Sequence, residues 1–234
     1  MTRTVRIEAV DAIDIDVEPY EWPFARECAA DIEAHWRTLC IARPRLFNGR
    51  VFLFRNMGIA DARLTGSCFE VEYKAFLAQR DFGYPDKTAF NCFAQGALRA
   101  PDRAFLLGQM AAGTANAGRI YFPAGTPDPS DVRNGRVDLD QSVMRELTEE
   151  TGLRANDITP ALGWTVLFER QMIACLKPMR LNLNRASALG RIADHIAREK
   201  HPELARVHVA ATRADIDPER MPLFIQAYLQ RELA

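Results

Sequence analysis

Three glutamates, Glu146, Glu149 and Glu150, are spaced i, i+3 and i+4 within Arg145-Glu146-Leu147-Thr148-Glu149-Glu150-Thr151-Gly152-Leu153. On a helix they share one face, inside an arc of roughly 100°. Leu139, Val143 and Leu147 form an apolar stripe on the same helix, and Glu150 falls angularly between Leu139 and Val143, on the inward side. Like charges at this spacing cost a helix roughly 0.2–0.5 kcal/mol per pair. Gly152 reads as the residue just past the helix end, so the acids sit in the last turns, where the helix dipole disfavours an anion by about 0.3–1 kcal/mol. A part-buried carboxylate needs a partner, and Arg145 is one cation against three acids. A hard divalent cation with oxygen ligands would resolve the conflict, and Mg²⁺ is the expected one. The competing reading is a solvated, glutamate-rich helix face.

The segment resembles the signature of the Nudix hydrolases, G-x5-E-x7-R-E-U-x-E-E-x-G-U, where U is bulky and apolar. Arg145, Glu146, Leu147, Glu149, Glu150, Gly152 and Leu153 fill every position of its second half. Phe122-Pro123-Ala124-Gly125 is similar to the strand end and glycine that open it. Gly125 and Arg145 are twenty positions apart where the family pattern has fourteen, so six residues read as inserted, around Pro127-Asp128-Pro129-Ser130-Asp131. Counted eight back from Arg145, the family's first glutamate falls on Val137. Asp138 fits a helix N-cap, with Gln141 completing a capping box. Asp140 reads either as a substitute for the missing glutamate or as a first-turn acid that suits the dipole.

The resemblance implies an α/β fold, a Nudix-type α/β/α sandwich with a mixed sheet over residues 46–234. Residues 1–45 would be an N-terminal helical extension packed on that domain. It implies a Mg²⁺- (or Mn²⁺-) dependent hydrolase that cleaves the diphosphate linkage of a nucleoside diphosphate derivative. Glu146, Glu149 and Glu150 would hold the metal, with the backbone carbonyl of Ala124 or Gly125 as a further ligand. Arg145 would orient one of the carboxylates, as a paired guanidinium does. Glu146 is the first choice of general base, and Glu169 a second candidate. Arg45-Leu46-Phe47-Asn48-Gly49 is similar to the opening of the Nudix group that splits UDP-sugars, which points to a nucleotide sugar or a compound like it. Arg133 and Arg136, in the extra loop, are candidate contacts for a phosphate; the alternative is that they are exposed loop charges. Val137 and the insertion motivate a different class, a catalytically weak nucleotide-binding or sensor protein on the same fold. A prenyl-diphosphate isomerase would need a Cys and a Glu that cannot be assigned here. A homodimer is allowed.

Composition sets outer limits. The chain has 234 residues, 48% hydrophobic and 26% charged, which suits an ordinary packed core. A net charge of −1 argues against general nucleic-acid or membrane-surface binding. No apolar run approaches the roughly 18 residues that would span a bilayer, and the polar start Met1-Thr2-Arg3-Thr4-Val5-Arg6 does not read as a signal region. Cys28, Cys40, Cys68, Cys92 and Cys175 are widely spaced and read as reduced core residues of a cytoplasmic protein. No P-loop or dinucleotide fingerprint is present.

The elements that must position the acids follow from periodicity. Residues 5–20 read as one or two strands or an extended arm. Trp22-Pro23 opens a helix to about Leu39, with Phe24, Cys28, Ile32 and Trp36 on one side. Asn48-Gly49 reads as a turn with positive φ, and Val51–Phe54 and Cys68–Tyr73 as strands. Asn91–Leu98 and Ala104–Met110 form a hairpin that resembles the one beside the substrate in Nudix domains. Arg119–Phe122 is a strand. Trp164–Phe168 and Met172–Leu176 pair around Glu169-Arg170-Gln171. Asn182 or Asn184 caps a helix to about Lys200, Val207–Ala211 is strand-like, and Asp217-Pro218-Glu219 opens a last helix ending at Ala234.

Overall fold

The computed structural model describes residues 4–233. Met1, Thr2, Arg3 and Ala234, and with them the expected end of the last helix, lie outside the described residues. Regular structure begins with β1 (Arg6–Val10), β2 (Ala12–Val17), α1 (Pro23–Glu27), α2 (Ala29–Ala42), β3 (Arg50–Ala60), β4 (Arg63–Glu72) and α3 (Tyr73–Asp81). The middle of the chain supplies β5 (Asn91–Arg99), β6 (Phe105–Met110), β7 (Ile120–Tyr121), β8 (Ala124–Gly125), β9 (Val132–Arg133), β10 (Arg136–Val137) and α4 (Leu139–Thr151). The last third adds β11 (Ile158–Pro160), β12 (Trp164–Glu169), β13 (Met172–Leu181), α5 (Arg185–Arg198), β14 (Leu204–Ala210) and α6 (Leu223–Glu232).

The fold is mixed α/β, and the strands divide between two mixed sheets. The first runs β1-β12-β13-β5-β6-β14, with β13 and β5 parallel. The second runs β3-β4-β2-β10-β9, with β2 and β4 parallel. Alternation along each strand explains the layers. On β13, Ile173 and Cys175 pack toward α4 and α5, beside Val143, Leu147, Ala188 and Ile192. Ala174 and Leu176, pointing the other way, meet Phe224, Ile225, Tyr228 and Leu229 of α6. On β3, Phe52 and Phe54 join the core under α4, whereas Val51 and Leu53 pack with Trp22, Ile32 and Phe76. Residues 4–45, expected as an extension packed on the domain, instead put β1 at the edge of the first sheet and β2 inside the second. The reason is that Val10 and Ile15 are fully apolar positions and are buried in the main core. Among the described residues no helix is long and apolar enough to cross a membrane.

Two local expectations change, and one helix was not expected. The Asn-Gly pair with positive φ is Asn134-Gly135, joining β9 to β10, and not Asn48-Gly49. Asn48 uses its side chain instead, donating to Glu72 and accepting from the Lys74 N–H at the start of α3. The last helix begins at Leu223, because Asp217 closes a turn by accepting from Glu219 and Arg220 before Pro222 restarts the chain as a helix. α3 had no sequence signal, since Glu72, its N-cap, makes no capping hydrogen bond.

α4 forms where the apolar stripe placed it. Asp138 caps it, accepting from the Gln141 N–H at 2.9 Å, and Gly152 ends it at φ +68°. Burying Leu139, Val143 and Leu147, at about 1.5–3 kcal/mol each, outweighs the repulsion among the acids. Past the helix, a Cβ on Gly152 would lie 2.8 Å from the His195 ring, whose Nε2 hydrogen-bonds the Glu149 carbonyl at 2.8 Å. Gly152→Ala is therefore expected to cost about 2 kcal/mol, from left-handed backbone strain and displacement of His195. A melting-temperature drop of roughly 4–8 °C checks it.

Candidate active site

β5 and β6 pair only at Arg99 and Phe105 and then diverge. The segment 120–125 fills the gap, with β7 on β6 and β8 on β5. This brings Ala124 and Gly125 over the acidic turns of α4. Glu150, 5% exposed, accepts the Ala124 N–H through Oε1 at 3.2 Å. Its Oε2 is buried without a hydrogen-bond partner. The Glu146 carboxylate lies against Gly125, where any Cβ would collide with it. Only glycine lets backbone and carboxylate approach this closely. Glu149 is the outermost of the three, with its side chain 59% exposed.

Arg145 organises the acids. It contacts Glu146 at 2.7 Å and Glu149 at 3.3 Å, and it donates to both oxygens of Asp131 at 3.1 Å. Asp131 is 1% exposed and also accepts from the Ser142 hydroxyl and the Asp128 N–H. Asp131 stands six positions after Gly125, which is the spacing of the glutamate in the first half of the Nudix signature. The extra residues therefore lie after Asp131, in the β9–β10 hairpin, and not around 127–131. Val137 is a buried strand residue outside the acid set. Asp140 pairs with Lys177 at 2.7 Å and takes no part in it. Counting forward from Gly125, rather than back from Arg145, was the signal that could have found Asp131.

Burial pushes the Glu150 carboxyl up to about 9, against the Ala124 hydrogen bond, with Glu203, Glu146 and Glu149 adding to the rise. Burial likewise raises Glu146 to about 7, with Arg145 pulling it down and Glu149 and Glu203 pushing it up. Burial works against the charge on Arg145, but Glu146, Asp131 and Glu149 outweigh it. Glu203, one residue before β14, is thus a fourth acid facing the set, itself raised by burial and by Glu149. It lies fifty-three positions from Glu150, too far for any local pattern to associate the two.

On the other side of Ala124 and Gly125 is a cavity of about 670 Å³, with Tyr84, Asn91, Gln95, Tyr121 and Glu169 in its wall and Arg80 and Arg119 beside them. Glu169 ends β12, 6% exposed. Arg133 and Arg136 do not line this cavity. Arg133 donates to the Ser130 and Val132 carbonyls, and Arg136 pairs with Asp14 and Asp16.

Solved structures similar to the chain include Nudix hydrolases. A MutT protein from Methanosarcina mazei Go1 is 18% identical, with a TM-score of 0.41, and the match covers 61% of this chain and 92% of that one. A Nudix hydrolase from M. smegmatis, RenU, is 15% identical, with a TM-score of 0.38, over 60% of this chain and 80% of that one. A pyrophosphohydrolase from Bacillus subtilis, BsRppH, is 13% identical, with a TM-score of 0.36, over 64% of this chain and 82% of that one. No family model matches the sequence, and no curated protein matches it.

Among the described residues no group of three or more His, Cys, Asp or Glu side chains is arranged so that it could hold a metal ion. The donor set nonetheless suits a hard cation. Its donors are carboxylate oxygens, and one of them, Oε2 of Glu150, is buried and lacks a partner.

Proposed function

We propose that the chain is a Mg²⁺- or Mn²⁺-dependent hydrolase of the diphosphate linkage in a nucleoside diphosphate derivative, a nucleotide sugar or a compound like it. The observation that carries this reading is the unpartnered, buried oxygen of Glu150 beside Glu146, packed behind Ala124 and Gly125, which themselves line a large cavity. Glu146, Glu149 and Glu150 would hold the ion, with the backbone carbonyl of Ala124 or Gly125. When bound, a divalent ion offsets charge on a diphosphate and makes water a better nucleophile. Arg145 fixes Glu146 and Glu149, and Asp131 fixes Arg145. Glu146, at about 7, is suited to taking a proton from the attacking water. Arg80 and Arg119, in the cavity wall, replace Arg133 and Arg136 as the cations offered to the phosphates. The substrate is a small molecule and the setting cytoplasmic.

The test is release of a nucleoside monophosphate from a panel of such derivatives, with and without Mg²⁺. The expected result is turnover that requires the ion. No turnover of any member, together with no Mg²⁺-induced rise in melting temperature, would overturn the reading. The sensor alternative drew on Val137 and the insertion; Asp131, at the family's spacing from Gly125, speaks against the first motive and leaves the second. It would be favoured if nucleotide stabilised the protein without metal and Glu149→Gln changed nothing.

A further inference from the structure

One short segment outside the acidic helix supplies the large cavity with hydrogen-bond donors. Asn116 and Arg119, in the loop after β6, and Tyr121, on β7, all line it. Tyr121 is 8% exposed, with its ring in the apolar cluster that holds Ile120 and Phe122. Its hydroxyl is the end that reaches the wall, because there it meets the exposed Asn116 side chain, Nδ2 to Oη, at 3.1 Å. Asn116 is the donor in that bond, so the hydroxyl uses a lone pair on it and keeps its own hydrogen. Among the described residues no acceptor takes that hydrogen.

The place and the state of this donor are set by its neighbours. Glu150 and Glu203 both act on the hydroxyl, which puts it at the α4 end of the cavity, and Tyr121 precedes Ala124 by three residues. Burial holds the phenol above its ordinary range, against the Asn116 hydrogen bond and with those two acids adding to the rise. It therefore stays a neutral O–H. Arg80 uses Nε on Asp81, and Arg119 uses one Nη on the Glu219 carbonyl, so both guanidinium groups keep N–H donors for a ligand. Glu169, the carboxylate in the same wall, already interacts within the protein. A wall of unused donors with two cations suits a group that is anionic and only accepts, as a phosphate does.

We propose that Tyr121 recognises the substrate's phosphate: its hydroxyl, oriented by Asn116, donates to a non-bridging oxygen of the phosphate lying at Ala124 and Gly125. This rests on the hydrolase reading for where the phosphate lies. Asn116 is a positioning residue that acts through Tyr121. Being neutral, the phenol adds a bond to the phosphate without pairing with Glu146 or Glu149, as a further arginine beside them would. Tyr84 offers the contrast. It lines the same cavity and its hydroxyl hydrogen-bonds Asn91, but the charges around it are Arg80, Asp81 and Glu169. Asn91 is four residues along β5 from Gln95, which pairs with Ala124, so Tyr84 stands roughly 13 Å from the phosphate end.

The test titrates the full chain calorimetrically, in Mg²⁺, with methylenediphosphonate, a P–C–P mimic of a diphosphate that is not hydrolysed. The wild-type protein is expected to bind it, and Tyr121→Phe, which keeps the ring, to bind it roughly ten- to a hundredfold more weakly. Asn116→Ala should weaken binding by a smaller factor and add no loss when combined with Tyr121→Phe; a residue that only shaped the loop would add its loss in either background. Tyr84→Phe should leave the affinity unchanged. No binding by the wild-type protein, an unchanged affinity in Tyr121→Phe, or an equal loss in Tyr84→Phe would overturn the proposal; the first result needs no variant to fold. Binding that depends on Tyr121, in a protein that turns over no diphosphate, would remove the hydrolase reading and leave this one. Mg²⁺-dependent turnover that Tyr121→Phe leaves intact would do the reverse.

Discussion

Glu150→Gln is expected to lower kcat/KM roughly a thousandfold in Mg²⁺ and, in the same protein without metal, to raise the melting temperature. The two effects have one origin. Glu150 is almost fully buried, and only one of its oxygens has a partner. Glutamine keeps an acceptor for the Ala124 N–H and removes the charge. Losing the charge would remove one of the carboxylates proposed to hold the ion, and also the desolvation cost of a buried anion. The sign in pH follows. The folded-state value, about 9, lies above the ordinary 4.5. The folded protein therefore keeps a proton that the unfolded chain gives up, and the stability this contributes is complete below about 4.5 and lost as pH rises to about 9. Glu146 adds a loss of the same sign that ends near pH 7. Melting curves in EDTA from pH 5 to pH 9 should fall steeply for the wild-type protein and more gently for the variant. At pH 8 the variant should melt higher by several degrees, at roughly 2–4 °C per kcal/mol for a chain this long. A variant that melts lower at pH 8 would mean that the carboxylate is already well paired in the folded state.

Asp131→Ala should be the most destabilising single change near the site, by about 3–5 kcal/mol. It strips Arg145 of a two-oxygen partner that is itself buried, and it removes the acceptor for the Asp128 N–H and the Ser142 hydroxyl. Activity should fall roughly 10–100-fold as well, because Arg145 then loses its fixed position between Glu146 and Glu149. Asp131→Asn keeps the shape and one acceptor and should recover part of the stability. Urea midpoints read the first effect directly. A loss below about 1 kcal/mol would show that Arg145 finds an adequate substitute partner.

What was legible in the sequence was local. The stripe of Leu139, Val143 and Leu147, the cap at Asp138 and the stop at Gly152 fix α4 within thirteen residues, and all are nearest-neighbour effects. The pairing of β12 with β13 could be read because only a short turn separates them. The first acid of the signature falls on Val137 or on Asp131 according to which end of the insertion the count starts from, and only packing decides which half keeps its register. Glu203, and the cavity that gathers Asn91, Gln95 and Glu169, depend on pairings between distant strands that no local spacing encodes. The division into two sheets was hidden for the same reason, since β2 finds β4 in parallel some fifty residues on.

The β9–β10 hairpin has a consequence for how the molecule meets its neighbours. β2 is flanked by β4 on one side, and its other side would offer bare N–H and C=O groups to any passing chain. β10 occupies that side through Arg136 opposite Asp16, and the Val17 N–H reaches the Gly135 carbonyl. The strand left outermost, β9, is two residues long and carries the Arg133 charge, a poor template for further pairing. Six residues that look surplus beside a shorter signature therefore serve as the selvedge of the second sheet, keeping a woven border from unravelling into contact with another copy.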